Sequence, residues 1–262
     1  MQETENLIKK LEKKTEVDSV FLTGSFGVSE KLRKAESSDI DIVVVLNKNS
    51  VGIKSVYQII DGLFADIFFF DQEDVRKIIT SKIVNGNAVS GILASWLQKA
   101  RIFFDKSGLT TTAKEHAERI ALVVSEKESR DTLQKISYNF IQNRRYYSAS
   151  NTLYHEALEV RMLYSVVELI TGFLTLRGES WRGEKHAIHF MKTEGPDFYN
   201  AFLAYKKSSN LNEKMRAYEA MVKVIRKTNT LFDYRQPICV SKQEETPLNE
   251  EKLLQYWKKL IA

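Results

Sequence analysis

The chain has 262 residues, of which 43% are hydrophobic and 28% charged, and its formal net charge is +5. This composition is typical of a folded globular protein with one large or two modest domains. It lacks the run of about eighteen uncharged apolar residues that a membrane span needs. Glu3 and Glu5 argue against a signal peptide, and the single cysteine, Cys239, excludes an internal disulfide and a multi-cysteine zinc site. We therefore expect a cytoplasmic protein without membrane segments.

Strand and helix patterns alternate in the first part of the chain. In chain order, they predict a helix over 2–16, a strand, turn and helix over 19–36, a strand over 40–46 and a helix over 51–60. A strand over 64–70, helices over 71–81 and 87–99 and a strand over 101–105 follow. The helix over 51–60 is predicted as a crossover between two strands. This alternation predicts a mixed sheet with flanking helices that ends near residue 108.

Every long segment beyond residue 108 has the apolar spacing of a helix, with hydrophobic residues three and four positions apart. The predicted helices cover 110–127, 129–148, 150–175, 184–192, 197–208, 211–230 and 250–261. The sequence therefore predicts an α+β protein in two domains, with a mixed-sheet domain over 1–108 and an all-α helical bundle over 109–262.

Two aspartates in one strand are the most informative feature of the chain. Asp39 and Asp41 flank Ile40 at the start of the apolar run Ile40–Leu46, so period-two alternation places both carboxylates on the same face. Aspartate is a poor strand former, and an unpaired buried carboxylate is costly. Two carboxylates this close are tolerated when a divalent cation lies between them. We therefore predict that Asp39 and Asp41 form half of a magnesium site.

A third acid interrupts the next apolar run. Asp66 lies within Leu63–Phe70 and joins the two aspartates if their strands are neighbours in one sheet. The other acids nearby, Asp61, Asp71 and Asp74, are interpreted as loop or helix-cap residues.

A glycine-serine turn precedes these acids. The predicted strand Ser19–Thr23 ends in Gly24-Ser25, where a sharp turn exposes backbone N–H groups and a hydroxyl at the start of a helix. Such a turn suits an anion such as a phosphate. Three acids and a phosphate turn together are typical of metal-assisted phosphoryl or nucleotidyl transfer.

The order of these residues resembles the signature of the nucleotidyltransferase superfamily, which includes DNA polymerase β. The signature is a hydrophobic strand, Gly24-Ser25, a spacer of thirteen residues, Asp39-Ile40-Asp41 and then Asp66. The resemblance covers about residues 17–106, and the helical domain that follows is similar to that of antibiotic nucleotidyltransferases of the aminoglycoside and lincosamide type. It implies a nucleotidyltransferase fold, Mg²⁺ held by the three aspartates, and a nucleoside triphosphate such as ATP as donor.

The resemblance also implies a small hydroxylated acceptor, such as an antibiotic, and release of pyrophosphate. Gly24 and Ser25 are then expected to contact the donor phosphates. Lys31 and Arg33 either add a cation to these phosphates or belong to the solvated surface. The chain departs from many small members of the superfamily in having Phe26-Gly27-Val28-Ser29 where they carry Ala-Arg-Gly, so an arginine near the phosphates is absent.

The helical half offers further candidates. Glu156 is a candidate general base for the acceptor hydroxyl, as are Glu159 and Glu168, although each also fits a solvated helix position. Lys185 follows a turn that contains Trp181, and its ammonium group is a candidate phosphate contact.

Other functions remain open from the sequence alone. Transfer of a nucleotide to a protein side chain, as in toxin–antitoxin systems, uses the same chemistry. A nucleotide-binding sensor without turnover keeps the fold and loses the reaction. The net charge of +5 suits a nucleotide but is too diffuse to indicate a nucleic-acid partner. The sequence does not distinguish a monomer from a homodimer.

Overall fold

The structure of the chain is a computed structural model, and it describes residues 2–28, 39–235, 237–238 and 250–261. The chain divides into two units. The first consists of the residues up to Ser125 together with Gly178–Trp181, and the second of Glu126–Arg177 and the residues from Arg182 onward. The predicted α+β class, with a mixed sheet followed by helices, is confirmed.

The first unit is built from strands and short helices. In chain order they are α1 (Gln2–Glu12), β1 (Val17–Leu22), α2 (Gly24–Val28), β2 (Ile40–Leu46), β3 (Ser55–Ile60), β4 (Leu63–Asp71), α3 (Gln72–Thr80), β5 (Ile83–Asn85), α4 (Val89–Leu97), β6 (Arg101–Asp105), α5 (Leu109–Ala117) and β7 (Ala121–Val123). Within the described residues, the main sheet has the strand order β3-β4-β2-β1-β6, and β5 pairs with β7 in a small second sheet. Of the pairs in the main sheet, β2 with β4 is parallel and the others are antiparallel.

Strand β2 lies at the centre of the main sheet and is covered on both faces. Val43 and Val45 pack on one face with residues of α3, α4 and α5, whereas Ile42 and Val44 pack on the other face with Ile8 of α1. A strand buried on both faces needs apolar residues at successive positions, which explains the continuous run from Ile42 to Leu46.

The first unit continues beyond residue 108, where the sequence patterns place its end. The hydroxyls of Thr110 and Ser19 are buried and lie 2.6 Å apart, in hydrogen-bonding distance. Ala113 and Ala117 belong to the core on the face of the sheet covered by α3 and α4. Helix α5 is therefore part of the sheet unit, because its small residues pack closely against that core.

The predicted crossover helix over 51–60 is wrong. Residues Ser55–Ile60 form strand β3, which pairs antiparallel with β4 in a hairpin. Asp61 and Gly62 connect the two strands with φ angles of 53° and 74°, so both lie in the left-handed region. An Asp-Gly pair with two positive φ values is the preferred connection of a tight hairpin. A helix is excluded because Ser55–Ile60 pair along their whole length with β4.

The predicted helix over 110–127 is also wrong in its second half. Helix α5 ends at Ala117, and Ala121–Val123 form β7, which pairs parallel with β5. β5 is too short for its pattern to indicate a strand, and β7 becomes a strand through this pairing. The predicted strands over 40–46, 64–70 and 101–105 correspond to β2, β4 and β6.

The second unit consists of helices. They are α6 (Glu126–Tyr147), α7 (Thr152–Thr175), α8 (Glu184–Glu194), α9 (Pro196–Lys207), α10 (Leu211–Arg226) and α11 (Glu250–Ile261). Its core contains Phe173 of α7, which stacks on Phe198 of α9 at 4.3 Å between ring centroids, and Tyr218 of α10. None of the described helices is long and apolar enough to cross a membrane.

Residues on the buried and the exposed face of α7 should contribute differently to the free energy of unfolding. Phe173→Ala should lower the free energy of unfolding by about 3–5 kcal/mol, because it empties a fully buried site and removes the stack on Phe198. Leu163→Ala, on the same helix but 70% exposed, should change it by less than about 0.5 kcal/mol. Urea unfolding followed by circular dichroism measures both variants. Equal losses in the two would show that this core is assigned wrongly.

Candidate active site

Three carboxylates meet where β2 and β4 run side by side. Asp41 lies directly opposite Asp66 in the parallel register of these strands, and Asp39 immediately precedes β2. Each of the three side chains offers a carboxylate oxygen, and these oxygens all lie within 4.8 Å of one another. The structure therefore brings together the three acids that the sequence singles out.

The surroundings of Asp66 indicate what the cluster could bind. Oδ1 of Asp66 is buried and has no hydrogen-bond partner among the described residues. Burial, and secondly the negative charge of Asp39, raise the pKa of the Asp66 carboxyl above its ordinary value. A partnerless carboxylate oxygen beside two further carboxylates fits a bound divalent cation, and a purely oxygen donor set is the one that Mg²⁺ prefers.

The glycine at position 24 is required by the position of Asp41. Gly24 has a φ of +62°, and a Cβ atom built on it would lie 2.3 Å from Oδ2 of Asp41. The backbone N–H of Thr23 donates a hydrogen bond of 3.1 Å to the carbonyl oxygen of Asp41. The glycine-serine turn and the acids therefore form one continuous site, with Ser25 exposed in the first turn of α2.

The other acids around β4 have structural roles, as predicted. Asp71 is the N-cap residue of α3, and its side chain accepts a hydrogen bond of 3.1 Å from the backbone N–H of Asp74. The Asp74 side chain accepts one from the backbone of Asp71 in return. Asp61 accepts hydrogen bonds from the hydroxyl and backbone N–H of Thr4 at 2.7 and 3.0 Å.

The remaining predicted residues lie elsewhere in the chain. Lys31 and Arg33 fall outside the described residues. Glu156 is exposed on α7, and Lys185 is exposed in the first turn of α8, so both belong to the second unit. Their roles stay predictions.

Two of the alternative bases have partners within the second unit. Glu159 forms an ion pair of 2.6 Å with Lys214, and Glu168 accepts a hydrogen bond from the side-chain amide of Asn139. These contacts are sufficient to explain both carboxylates as parts of the helical unit.

An aromatic pair beside Asp66 was missed by the sequence analysis. Tyr57 lies directly opposite Asp66 on the neighbouring strand β3, and its ring stacks on that of Phe64 with centroids 6.2 Å apart. The assignment of 51–60 to a helix concealed this neighbour. A signal for this hairpin is present in the sequence, because Asp61-Gly62 lies between two segments rich in β-branched and aromatic residues. It would have predicted that residues 55–60 form a strand beside Asp66.

Comparison with known proteins gives a distant similarity. No family model matches the chain, and no curated protein sequence matches it. Among solved structures, the chain is similar to a nucleotidyltransferase-like protein from Exiguobacterium sibiricum 255-15, with 12% sequence identity and a TM-score of 0.48. The similarity covers 86% of this chain and 74% of that one. At this level it does not establish a family, so the function proposed below rests on the geometry of the site.

Gly24→Ala should weaken metal binding through Asp41. The new methyl group occupies the place of the Asp41 carboxylate, so the affinity for Mn²⁺, used as a spectroscopic substitute for Mg²⁺, should fall about 10-fold or more. Electron paramagnetic resonance of free Mn²⁺ measures this affinity.

Gly52→Ala is the matched control for this variant. Gly52 also has a positive φ, of +68°, but a Cβ there meets no atom within 4 Å. Both variants should lose about 1–2 kcal/mol of stability through backbone strain, and only Gly24→Ala should lose Mn²⁺ affinity. A similar Mn²⁺ affinity in the two variants would contradict the role of Gly24.

Asp66→Asn should stabilise the protein in EDTA and remove its response to Mg²⁺. The amide removes a negative charge that neighbours Asp39 and Asp41, so the free energy of unfolding at neutral pH should rise by about 1 kcal/mol. Addition of Mg²⁺ should then raise the melting temperature of the wild type more than that of the variant. Calorimetry in EDTA and in Mg²⁺ tests both parts, and a destabilised variant in EDTA would contradict the first.

Proposed function

We propose that the chain is a metal-dependent nucleotidyltransferase that moves a nucleoside monophosphate from a nucleoside triphosphate to a hydroxyl group of a small acceptor, with release of pyrophosphate. The observation that carries this proposal is the cluster of Asp39, Asp41 and Asp66 beside the turn at Gly24. Asp41 and Asp66 lie on the neighbouring strands β2 and β4, and Asp39 immediately precedes β2, so the sheet sets the spacing of the carboxylates.

The three carboxylates would hold Mg²⁺. When bound there, Mg²⁺ supplies charge neutralisation on the phosphate that is transferred and favours in-line displacement of pyrophosphate. Asp41 and Asp66 lie on adjacent strands, so β2 and β4 would both contribute a carboxylate to the cation.

The chain's own groups would divide the remaining work. The backbone at Gly24 and the hydroxyl of Ser25 would bind the terminal phosphates of the donor, because they lie next to Asp41 at the end of β1. Lys31, Arg33 and Lys185 are proposed as further phosphate contacts. On the other side of the cluster, Asp66 would orient the acceptor hydroxyl.

The proton of the acceptor hydroxyl needs a base. Glu156 is proposed for this role, as the exposed carboxylate of the polar segment at the start of α7. Asp66 is the alternative, because it lies on the β3 side of Asp41, away from the turn at Gly24.

Pyrophosphate release tests the proposal directly. Each of the four common nucleoside triphosphates is combined with Mg²⁺ and a panel of aminoglycosides, lincosamides and simple sugars. We expect acceptor-dependent release of pyrophosphate that falls by more than about 100-fold in Asp39→Asn/Asp41→Asn, because the ligands of the cation are lost. Glu73→Gln, an exposed acid on α3, should retain full activity.

Nucleotide binding distinguishes two reasons for a negative result, namely that the panel lacks the right acceptor or that the acids do not form a nucleotide site. Calorimetric titration of Mg·ATP into the wild type and the double variant shows whether the acids hold a nucleotide at all. Nucleotide binding that needs the two aspartates, without release in any mixture, would direct attention to a protein acceptor or a sensor without turnover. Absence of Mg²⁺-dependent binding in the wild type would overturn the proposed function.

A further inference from the structure

The strand pairing aligns the candidate site in one row across the sheet. Asp41 on β2 is opposite Asp66 on β4, and Asp66 is opposite Tyr57 on β3. Directly opposite residues of neighbouring strands point to the same face. Because adjacent strands are about 4.8 Å apart, Tyr57 follows Asp66 at one strand spacing and Asp41 at two.

Tyr57 is part of an exposed apolar platform on this face, formed by Tyr57, Ile59 and Phe64. Ile59 is opposite Phe64 in the hairpin, two positions along from the pair of Tyr57 and Asp66. The three side chains are 59%, 66% and 51% exposed. The rings of Tyr57 and Phe64 stack with an interplanar angle of 14°, so each ring has one face directed away from the other.

Packing among the residues that the structure describes does not explain the platform. The other face of the same hairpin contributes Ile60 and Ile67 to the core that surrounds α1, and both are buried. Among the described residues, β4 is covered on the platform face further along, where Phe68 packs on Trp96 at 4.7 Å between centroids. The exposed rings therefore begin where the core of this face ends, next to Asp66.

The geometry of in-line displacement indicates whether the donor or the acceptor would lie over the platform. The leaving pyrophosphate and the attacking hydroxyl lie on opposite sides of the phosphorus that is transferred. Across the sheet, the turn at Gly24 lies on the β1 side of Asp41, and the platform lies on the β3 side of Asp66. If the turn binds the phosphates that leave, the acceptor approaches from the side of the platform.

We propose that Tyr57, Ile59 and Phe64 form the acceptor subsite, and that the acceptor is a compound with a sugar ring. The apolar C–H face of a pyranose packs on the outward face of one of these rings, while its hydroxyl groups remain free to point toward Asp66. This inference rests on the proposed function, because it takes the β1 side of the acids as the phosphate side.

Saturation-transfer NMR with methyl β-D-galactopyranoside tests the subsite. This probe is neutral and carries no phosphate, so it needs neither Mg²⁺ nor nucleotide. We expect the wild type to bind it and Tyr57→Leu/Phe64→Leu to bind it at least about 10-fold more weakly, because aromatic faces are lost while apolar side chains remain. Tyr57→Phe, which keeps the ring, should bind it like the wild type.

Val56→Leu is the matched control on the opposite face of the same strand. Val56 lies opposite Ile67 on β4, on the face away from Asp66. This variant should bind the galactoside like the wild type. Titration of Mg·ATP into each variant should give the affinity of the wild type, since none of these substitutions replaces an acid of the cluster or a residue of the turn at Gly24.

The outcomes separate the subsite from the proposed function. If Mg·ATP binds but the galactoside does not, or binds equally to Tyr57→Leu/Phe64→Leu, the subsite is overturned and the proposed function stands. If adenine binds the platform about 10-fold more tightly than the galactoside, the platform holds the donor base and the subsite is overturned. A wild-type dimer that Ile59→Lys converts to a monomer would assign the platform to a second copy of the chain. Absence of Mg²⁺-dependent ATP binding in the wild type overturns both proposals.

Discussion

The parallel pairing of β2 with β4 is the constraint on which the candidate site depends. It places Asp41 opposite Asp66, and a shift of the register by one residue would turn Asp66 to the other face of the sheet. The apolar residues beyond the acids fix the register, because Val43 and Val45 are buried against helices on one face and Val44 is buried on the other. The core of the first unit therefore holds the carboxylates close together, although their like charges repel each other in the absence of a cation.

Residues of the candidate site lower the stability of the fold locally, and the packing of the surrounding sheet offsets this loss. Asp66 has a buried oxygen without a hydrogen-bond partner in the described part of the chain, and Gly24 adopts a left-handed conformation that only glycine adopts without strain. Both features place carboxylates and backbone where a cation and a phosphate can reach them. Local departures from stable packing of this kind concentrate at functional sites, since there the ligand supplies the missing partner. Across the sheet, the turn at Gly24 comes first, the acids follow, and the exposed rings of Tyr57 and Phe64 come last. The two sides of the acids therefore differ, with polar backbone groups on one side and aromatic rings on the other.

The sequence was sufficient for the parts of the site that depend on local periodicity. Asp39 and Asp41 share a face because strand residues alternate, and a strand with apolar residues at successive positions had to lie inside a sheet. The role of Asp71 as a helix cap also follows from its place before an amphipathic segment, and the structure confirms it. Local patterns failed at residues 51–60, where β-branched and aromatic residues fit a buried helix face as well as a strand. For Glu156 and Lys185, local patterns gave candidates only, and both roles stay predictions.

By itself, then, the sequence determined the α+β class, the pair of acids on one strand face and the glycine-serine turn, because these depend on residue type and spacing along a few neighbouring residues. Only the tertiary structure decided that Asp66 is the third acid of the cluster, that residues 55–60 form the strand beside it, and that Tyr57 stands next to Asp66. These features depend on which strands become neighbours and in which register. That choice is made by burial of apolar side chains across the whole sheet, and no short segment of the sequence contains it.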